Sequence, residues 1–371
     1  MSSVRVPAAV LAHARENTQV IATLSGVDVD ADEVIGGRAA LLGLPAAGRI
    51  SAGGATRLMH GPDGWCALTL SRPDDLDAVP ALIKHDAMPV SPWDAIEQSV
   101  RDLGVGAFAE RARLLGLPVG VLGETDAVPM TVSIAGDRGA PIPLSDMLIA
   151  DLSSMWAGPL CGRVLADAGA TVVKVESAQR PDGTRTGPVE FFDWINAGKL
   201  SYRADFDNPT GVRRLLAVAD VVIESSRPAA LRRRGLGPAD VAARLGRTWI
   251  RITGHGTTEG RADWVAFGDD AAVSGGLVVG TPEAPQFCGD AVADPLTGIC
   301  GARAVLESRA RGGGELIEVS MAGVAAEYGR LADGGETDCA VVPSPTVPAA
   351  PLGADNSLVD RLVAERLAPS C

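Results

Sequence analysis

At 371 residues, with 46% hydrophobic and 21% charged side chains, the chain has the balance of a globular protein with a substantial core and room for two domains. A formal net charge of −13 argues against nucleic acid and anionic membrane as partners. No run approaches the roughly 20 apolar residues of a membrane-spanning helix. Six scattered cysteines (Cys66, Cys161, Cys288, Cys300, Cys339, Cys371) without a CxxC pair read as free thiols of a reducing compartment. The opening stretch MSSVRVPAAVLAHAREN is charged too soon after a short apolar run for a signal peptide, so a cytoplasmic address is expected.

In chain order, VPAAVLAHARENTQVIATLSG has helical apolar spacing, and GRISAGGATRLM is a glycine-bearing link. GWCALTLSRPDDLDAVPALI reads as strand, turn and helix, with the helix start marked by Pro73-Asp74-Asp75. PWDAIEQSVRDLGVGAFAERARLLG predicts two helices broken at a glycine, and LPVGVLG a short strand. The polar, proline-containing ETDAVPMTVSIAGDRGAPIPLSD reads as a linker. From residue 147 the rhythm changes. Strand MLIADLS leads to a helix through MWAGPLCGRVLADAGA, then strand TVVKVES, helix RRLLAVAD and strand VVIESS. Helices over AALRRRGLGPADVAARLG and strand TWIRITG follow. This alternation predicts βαβ units and a parallel sheet. A ligand is then expected outside the carboxyl ends of the strands, among SSMWAGP, ESSRP and TGHGTTEG. LADGGETDCAVVPSPTVPAAPLG reads as a Pro-rich linker and NSLVDRLVAERLAPS as a last amphipathic helix.

Several sharp motifs are missing: GxSxG, HExxH, a Walker lysine and GxGxxG. His13, His60, His85 and His255 lack metal-ligand spacing, so no metal site is expected. Trp156-Ala157-Gly158-Pro159 lies between a strand and a helix start, where backbone N–H groups can face an anion or a thioester oxygen. It is equally a tight turn that needs glycine. The run from Arg227 to Arg232-Arg233-Arg234 is the most basic patch, a phosphate clamp or a solvated helix face. Lys199 is a single loop cation. Asp290 and Asp294 stand in FCGDAVADPLTGICGA, otherwise small and apolar, where an unpaired carboxylate is costly. Asp294 before Pro295 reads as a helix N-cap, as a positioned nucleophile, or as both.

Together these segments resemble the family III CoA-transferases, the group that includes formyl-CoA and carnitine CoA-transferases and the α-methylacyl-CoA racemases. The likeness runs in order through ADLSSMWAGPLCGRVLADAGATVVKVES, FFDWINAGKLSYRADF and ADVVIESSRPAALRRRGL. It continues through IRITGHGTTEGRADWVAFGDDAAVSGGL and AVADPLTGICGARAVLESRARGGGELIEVSM. The resemblance implies an α/β fold, with a Rossmann-like parallel-sheet large domain and a smaller α+β domain. It implies Asp294 as the catalytic carboxylate and Trp156 and Ala157 as the turn near the thioester. Lys199 matches a cation near the nucleotide end of CoA, and Ser225, Ser226, Ala230 and Arg233 match the segment that holds the adenine and its phosphates. Gly254 and His255 match a turn usually written Gly-Tyr or Gly-Phe.

Two departures stand out within the matched segments. Ser177 stands where an arginine often follows the VVKVE strand, with Arg180 as a substitute, and Gly268-Asp269-Asp270 stands where racemases carry Gly-His-Asp. The chain order also differs. The family inserts its small domain, whereas here residues 36–122 resemble that domain placed in front. A permuted layout follows: 1–140 a small α+β domain with a leading helix, 141–330 a large CoA-binding domain, 331–350 a linker, and 351–371 a segment returning to the large domain.

The implied activity moves CoA between an acyl-CoA thioester and a free carboxylic acid through an aspartyl covalent intermediate. CoA enters as the acyl-CoA substrate, without a metal, and a homodimer is expected. Two other readings stay open. In one, Asp294 is an acid/base of 2-methylacyl-CoA racemisation, with His255 as the histidine available. In the other, the chain is a non-catalytic acyl-CoA-binding protein.

Overall fold

The computed structural model describes residues 4–45, 48–258, 260–332, 335–344 and 346–368. Strands β1 (Val4–Pro7), β2 (Thr56–Gly61), β3 (Gly64–Thr69), β4 (Val119–Val121) and β5 (Met130–Ile134) come first. Then follow β6 (Leu148–Leu152), β7 (Thr171–Ser177), β8 (Leu200–Ala204), β9 (Val221–Glu224) and β10 (Thr248–Thr253). A hairpin of β11 (Val278–Thr281) and β12 (Ala284–Phe287) precedes β13 (Glu315–Ser320) and β14 (Glu336–Cys339). The main sheet has the order β5-β13-β10-β9-β6-β7-β8. Its neighbours pair in parallel except β5, which runs antiparallel to β13.

The central strands read as near-continuous apolar runs because both faces are covered. Ile149, Val172, Val221 and Ile223 point into one layer, packed against Leu160, Ile299 and other residues of helices Ala157–Asp167 and Ala293–Ala310. Leu148, Ala150, Val173 and Val222 point into the other, against Leu215, Leu216, Val359 and Val363. From β6 the chain steps outward to β8, then returns to lay β9 beside β6. The loops after β6 and β9 therefore diverge, and a crevice opens at the carboxyl ends of these two strands.

A smaller antiparallel sheet, β2-β3-β4, has its own core of Met59, Leu68, Ile96, Val100, Phe108 and Val119. The expected helix pair spans Pro92–Leu103 and Val105–Leu114, broken at Gly104 with φ of 80°. The leading residues pack elsewhere. Helices Ala8–Ser25 and Ala31–Leu42 place Val10, Leu11, Ile21 and Ile35 in the core of the main sheet, so the smaller unit starts only after them.

Three segments differ from their sequence reading. The stretch read as a linker before residue 147 contains β5, whose Thr-Val-Ser-Ile alternation lets it pair as an edge strand of the main sheet. The Pro-rich stretch after residue 330 contains β14, which pairs antiparallel with β1 and buries Cys339. No helix forms over PADVAARLG; the Asp240 carboxylate accepts the Gly237 N–H at 3.1 Å and stabilises a turn instead.

The C-terminal helix Asn356–Leu367 lies against β8 and helix Thr210–Val218, burying Val359 and Val363. Cys66, Cys161, Cys288, Cys300 and Cys339 are unpaired and buried; Cys371 lies outside the described residues. Among the described residues no helix is long and apolar enough to cross a membrane.

Candidate active site

The loop leaving β6 is pinned by two buried ion pairs. Lys199 Nζ lies 2.9 Å from Asp151 Oδ2 and donates to the Pro159 carbonyl at 2.7 Å and to Asn196 Oδ1 at 3.1 Å. Lys174 Nζ lies 2.8 Å from Asp182 Oδ2 and donates to the Ser153 carbonyl at 3.1 Å. Asp182 in turn accepts the Met155 N–H at 3.2 Å. These contacts hold Met155 at φ of 73°, a left-handed conformation that a non-glycine residue adopts only when its surroundings impose it. The helix Ala157–Asp167 then starts hard against the loop. A Cβ at Gly158 would collide with the Ser153 side chain, so the glycine expected in this turn is sterically required.

The Lys199 ammonium is buried, paired and outside the cleft wall, at odds with the role the family resemblance implied for it. Burial lowers its pKa, opposed by Asp151.

A cleft of about 880 Å³ opens where the strand-end loops diverge. Ala157, Ser225, Ser226, Ala230, Arg233, Gly254 and Asp294 all lie on its wall. Arg180 lines it too. The Ser177 hydroxyl accepts the Arg180 N–H at 2.9 Å, which ties the substitute arginine to the position where the usual one is missing. Arg72 and Arg113, from the smaller unit, complete a cationic rim that sequence reasoning missed, because nothing local marks them as facing the cleft. Arg113 stacks over Trp264, its guanidinium 3.7 Å from the ring centroid.

Besides Lys199, two expected residues sit off this wall. Trp156 lines a second, smaller cavity of about 240 Å³. His255 is buried, edge-on to Trp264 at 5.3 Å, and neither ring nitrogen has a partner among the described residues. Burial, with Arg113 and Arg261 nearby, pushes its pKa down to about 3, so the imidazole is neutral.

Asp294 lines both cavities. It is not the N-cap expected from Asp-Pro. Ala291 takes a left-handed φ of 44°, and the Asp294 N–H bonds the Ala291 carbonyl at 2.9 Å. Helix Ala293–Ala310 thus begins two residues earlier, with Asp294 in its first turn. The backbone N–H groups of Ala157 and Gly268 lie near the carboxylate and favour its charged form. A Cβ at Gly268 would strike this carboxylate and the Ala291 carbonyl, so only glycine fits. Burial first, then the charge of Asp269, pushes the Asp294 pKa up to about 7; Arg38 and the two N–H donors pull the other way.

Asp269 lies on the wall of the smaller cavity, accepting the Ala291 N–H at 3.0 Å and the Thr56 hydroxyl at 3.2 Å. Burial and Asp290 raise its pKa to about 6. Among the described residues no group of three or more His, Cys, Asp or Glu side chains could hold a metal ion.

The family model for CoA-transferase family III matches residues 144–330. A succinyl-CoA–D-citramalate CoA-transferase from Chloroflexus aurantiacus is 32% identical over 200 residues, covering 49% of this chain and 50% of that protein. A succinate–glutarate CoA-transferase from Agrobacterium fabrum is 34% identical over 205 residues, covering 48% and 51%. The crystal structure of a CAIB/BAIF family protein from Brucella suis matches 52% of this chain and 55% of that chain, with 31% identity and a TM-score of 0.45. The chain spans about half the length of the curated relatives it matches.

Proposed function

Because the chain belongs to CoA-transferase family III, we propose that it transfers CoA between an acyl-CoA thioester and a free carboxylic acid, with Asp294 as the nucleophile. One observation carries this reading: Asp294 stands where the two cavities meet. The larger cleft, with Arg180, Arg227 and Arg233 on its wall, suits the phosphates of CoA. The smaller suits the acyl group. A thioester bound across the junction presents its carbonyl carbon to the carboxylate.

The Asp294 carboxylate attacks that carbon, the C–S bond breaks, and CoA leaves as a thiolate. The resulting mixed anhydride is attacked at the aspartyl carbonyl by the thiolate, which gives an aspartyl-CoA thioester and the first acid as its carboxylate. The acceptor carboxylate attacks the aspartyl thioester and expels the thiolate again. The thiolate then takes the acceptor's acyl group and regenerates Asp294. No net proton is consumed, and no step calls on a metal. The Ala157 N–H lies near Asp294 and favours its charged form. The oxyanion donors in this reading are therefore the N–H of Gly158, in the first turn of its helix, and that of Gly53 on the opposite wall. The smaller unit takes the part of the family's small domain, moved ahead of the large one, and the active form is a homodimer.

Racemisation needs a second base facing Asp294 across the substrate's α-carbon. His255, buried off the cleft wall, argues against that reading. The two are separated by incubating the protein with acyl-CoA, adding hydroxylamine, and weighing the peptide that contains Asp294. A hydroxamate on that peptide is the expected result. Exchange of the substrate's α-proton for deuterium without covalent capture assigns racemisation instead.

The same role sets a pH dependence. The ionised carboxylate is the nucleophile, and its pKa stands at about 7. The rate kcat/KM for acyl-CoA is therefore expected to rise from pH 5.5 to pH 8.5 with its midpoint near 7, rather than near the 4 of an ordinary aspartate. A flat profile over that range rules out Asp294 as the titrating nucleophile.

A further inference from the structure

The smaller cavity holds a cation that the transfer chemistry leaves unused. Arg38, on helix Ala31–Leu42, is the one lysine or arginine on its wall among the described residues, and it lies outside the segment matched by the family. Its guanidinium sits 5.7 Å from the Trp156 ring centroid and 5.4 Å from that of Phe191. Nη1 donates to Asp290 Oδ1 at 2.6 Å. Nη2 lies 3.5 Å from where a Cβ would stand on Gly53, so the group reaches across to the opposite wall. Asp290 is 1% exposed, while the Arg38 side chain is 25% exposed. The acid is sealed inside and the cation faces the cavity. Among the described residues the other guanidinium donors have no protein acceptor.

This arrangement is built for an anion. Asp290 and the two aromatic faces fix the guanidinium, so little freedom is lost when it grips a ligand. The same wall carries the carboxylates of Asp269 and Asp294, which repel an anionic group unless a cation offsets them. An alkyl acyl chain would leave the exposed donors of Arg38 facing hydrocarbon, whereas a carboxylate at the chain's far end would accept a charge-assisted pair of hydrogen bonds. At about 240 Å³ the cavity falls below the roughly 300–1,000 Å³ of drug-sized ligand sites, which limits it to a short chain.

We propose that Arg38, held by Asp290, is the specificity-determining residue of the acyl cavity and selects short acyl groups that carry a second carboxylate. The inference rests on the reading that the thioester carbonyl sits at Asp294. Arg38 binds the remote carboxylate and takes no part in bond making; Asp290 is its positioning residue.

The test uses chain-matched thioesters: succinyl-CoA against butyryl-CoA, and glutaryl-CoA against valeryl-CoA. Dissociation constants are measured by calorimetry and kcat/KM with a common acceptor. Wild type is expected to favour the diacid member of each pair. In Arg38→Leu the diacid-to-monoacid ratio is expected to fall about 10- to 100-fold, with most of the loss in KM, as for a charged hydrogen bond made equally in ground and transition states. Because Arg38→Leu strands Asp290 in a dry site, the double variant Arg38→Leu/Asp290→Leu is measured as well, and the same fall in ratio is expected. Arg38→Lys is expected to keep part of the preference. A wild type that binds both members of a pair equally overturns the proposal, as does a ratio unchanged in the double variant. If the affinity ratio behaves as expected while no thioester is turned over, Arg38 keeps its assignment and it is the transfer chemistry that fails.

Discussion

Replacing Asp294 by asparagine is expected to lower CoA transfer by at least about a thousandfold, the scale of removing the nucleophile from a covalent mechanism. Affinity for free CoA is expected to stay within a few-fold of wild type, since in the proposed reading the nucleotide arm lies along other residues of the cleft. The substitution also carries a stability signature. Burial raises the folded-state pKa of Asp294 above its ordinary value. Its contribution to stability is therefore fully present below about pH 4 and is lost as pH rises through about 7. Asparagine does not titrate, so the variant is expected to gain stability relative to wild type between pH 5 and pH 8, as read from urea unfolding at each pH. An unfolded variant, or one that loses CoA affinity together with activity, marks Asp294 as a structural residue of the first helical turn.

The second large effect concerns Lys199. Lys199→Met leaves the buried Asp151 carboxylate without its cation and frees the Pro159 carbonyl. Breaking one partner out of a buried pair costs about 3–5 kcal/mol, so a marked fall in the urea midpoint is expected. Pairing the change with Asp151→Leu removes the stranded charge and is expected to recover part of the loss. A direct contact with CoA would behave in the opposite way, with a raised KM and unchanged stability. That outcome would return Lys199 to the binding site. The geometry favours the structural effect, because the ammonium is enclosed by the loop it fixes.

The two readings of Asp290 and Asp294 illustrate how far one dimension carries. Both stand out in the sequence because a carboxylate among small apolar residues demands a reason. For Asp294 the family likeness supplied one, and the cavity junction is consistent with it. For Asp290 the reason is Arg38, separated from it by 252 positions in the chain. No local pattern in GGRAALLG announces that partner. Asp269 was visible only as a departure from Gly-His-Asp. Its effect on the Asp294 pKa depends on a turn in which Gly268 lets two acids approach.

Local alternation and apolar spacing were enough to mark β6, β7, β9 and β10, the helices that begin near Ala157 and Thr210, and the three strand-end loops, because those signals come from backbone period and burial alone. They failed where a strand was short and polar, as in β5 and β14, which exist only because a partner strand supplies their hydrogen bonds. The family likeness named seven residues that the structure brings to one wall. What only the tertiary structure decided is which charges meet water and which meet each other. Lys199 and Arg38 are both single cations beside glycine in the sequence. One is sealed against Asp151, and the other is braced by Asp290 with its face to the cavity. That difference is set by long-range packing, and burial governs whether a charge spends itself on structure or remains free for a ligand.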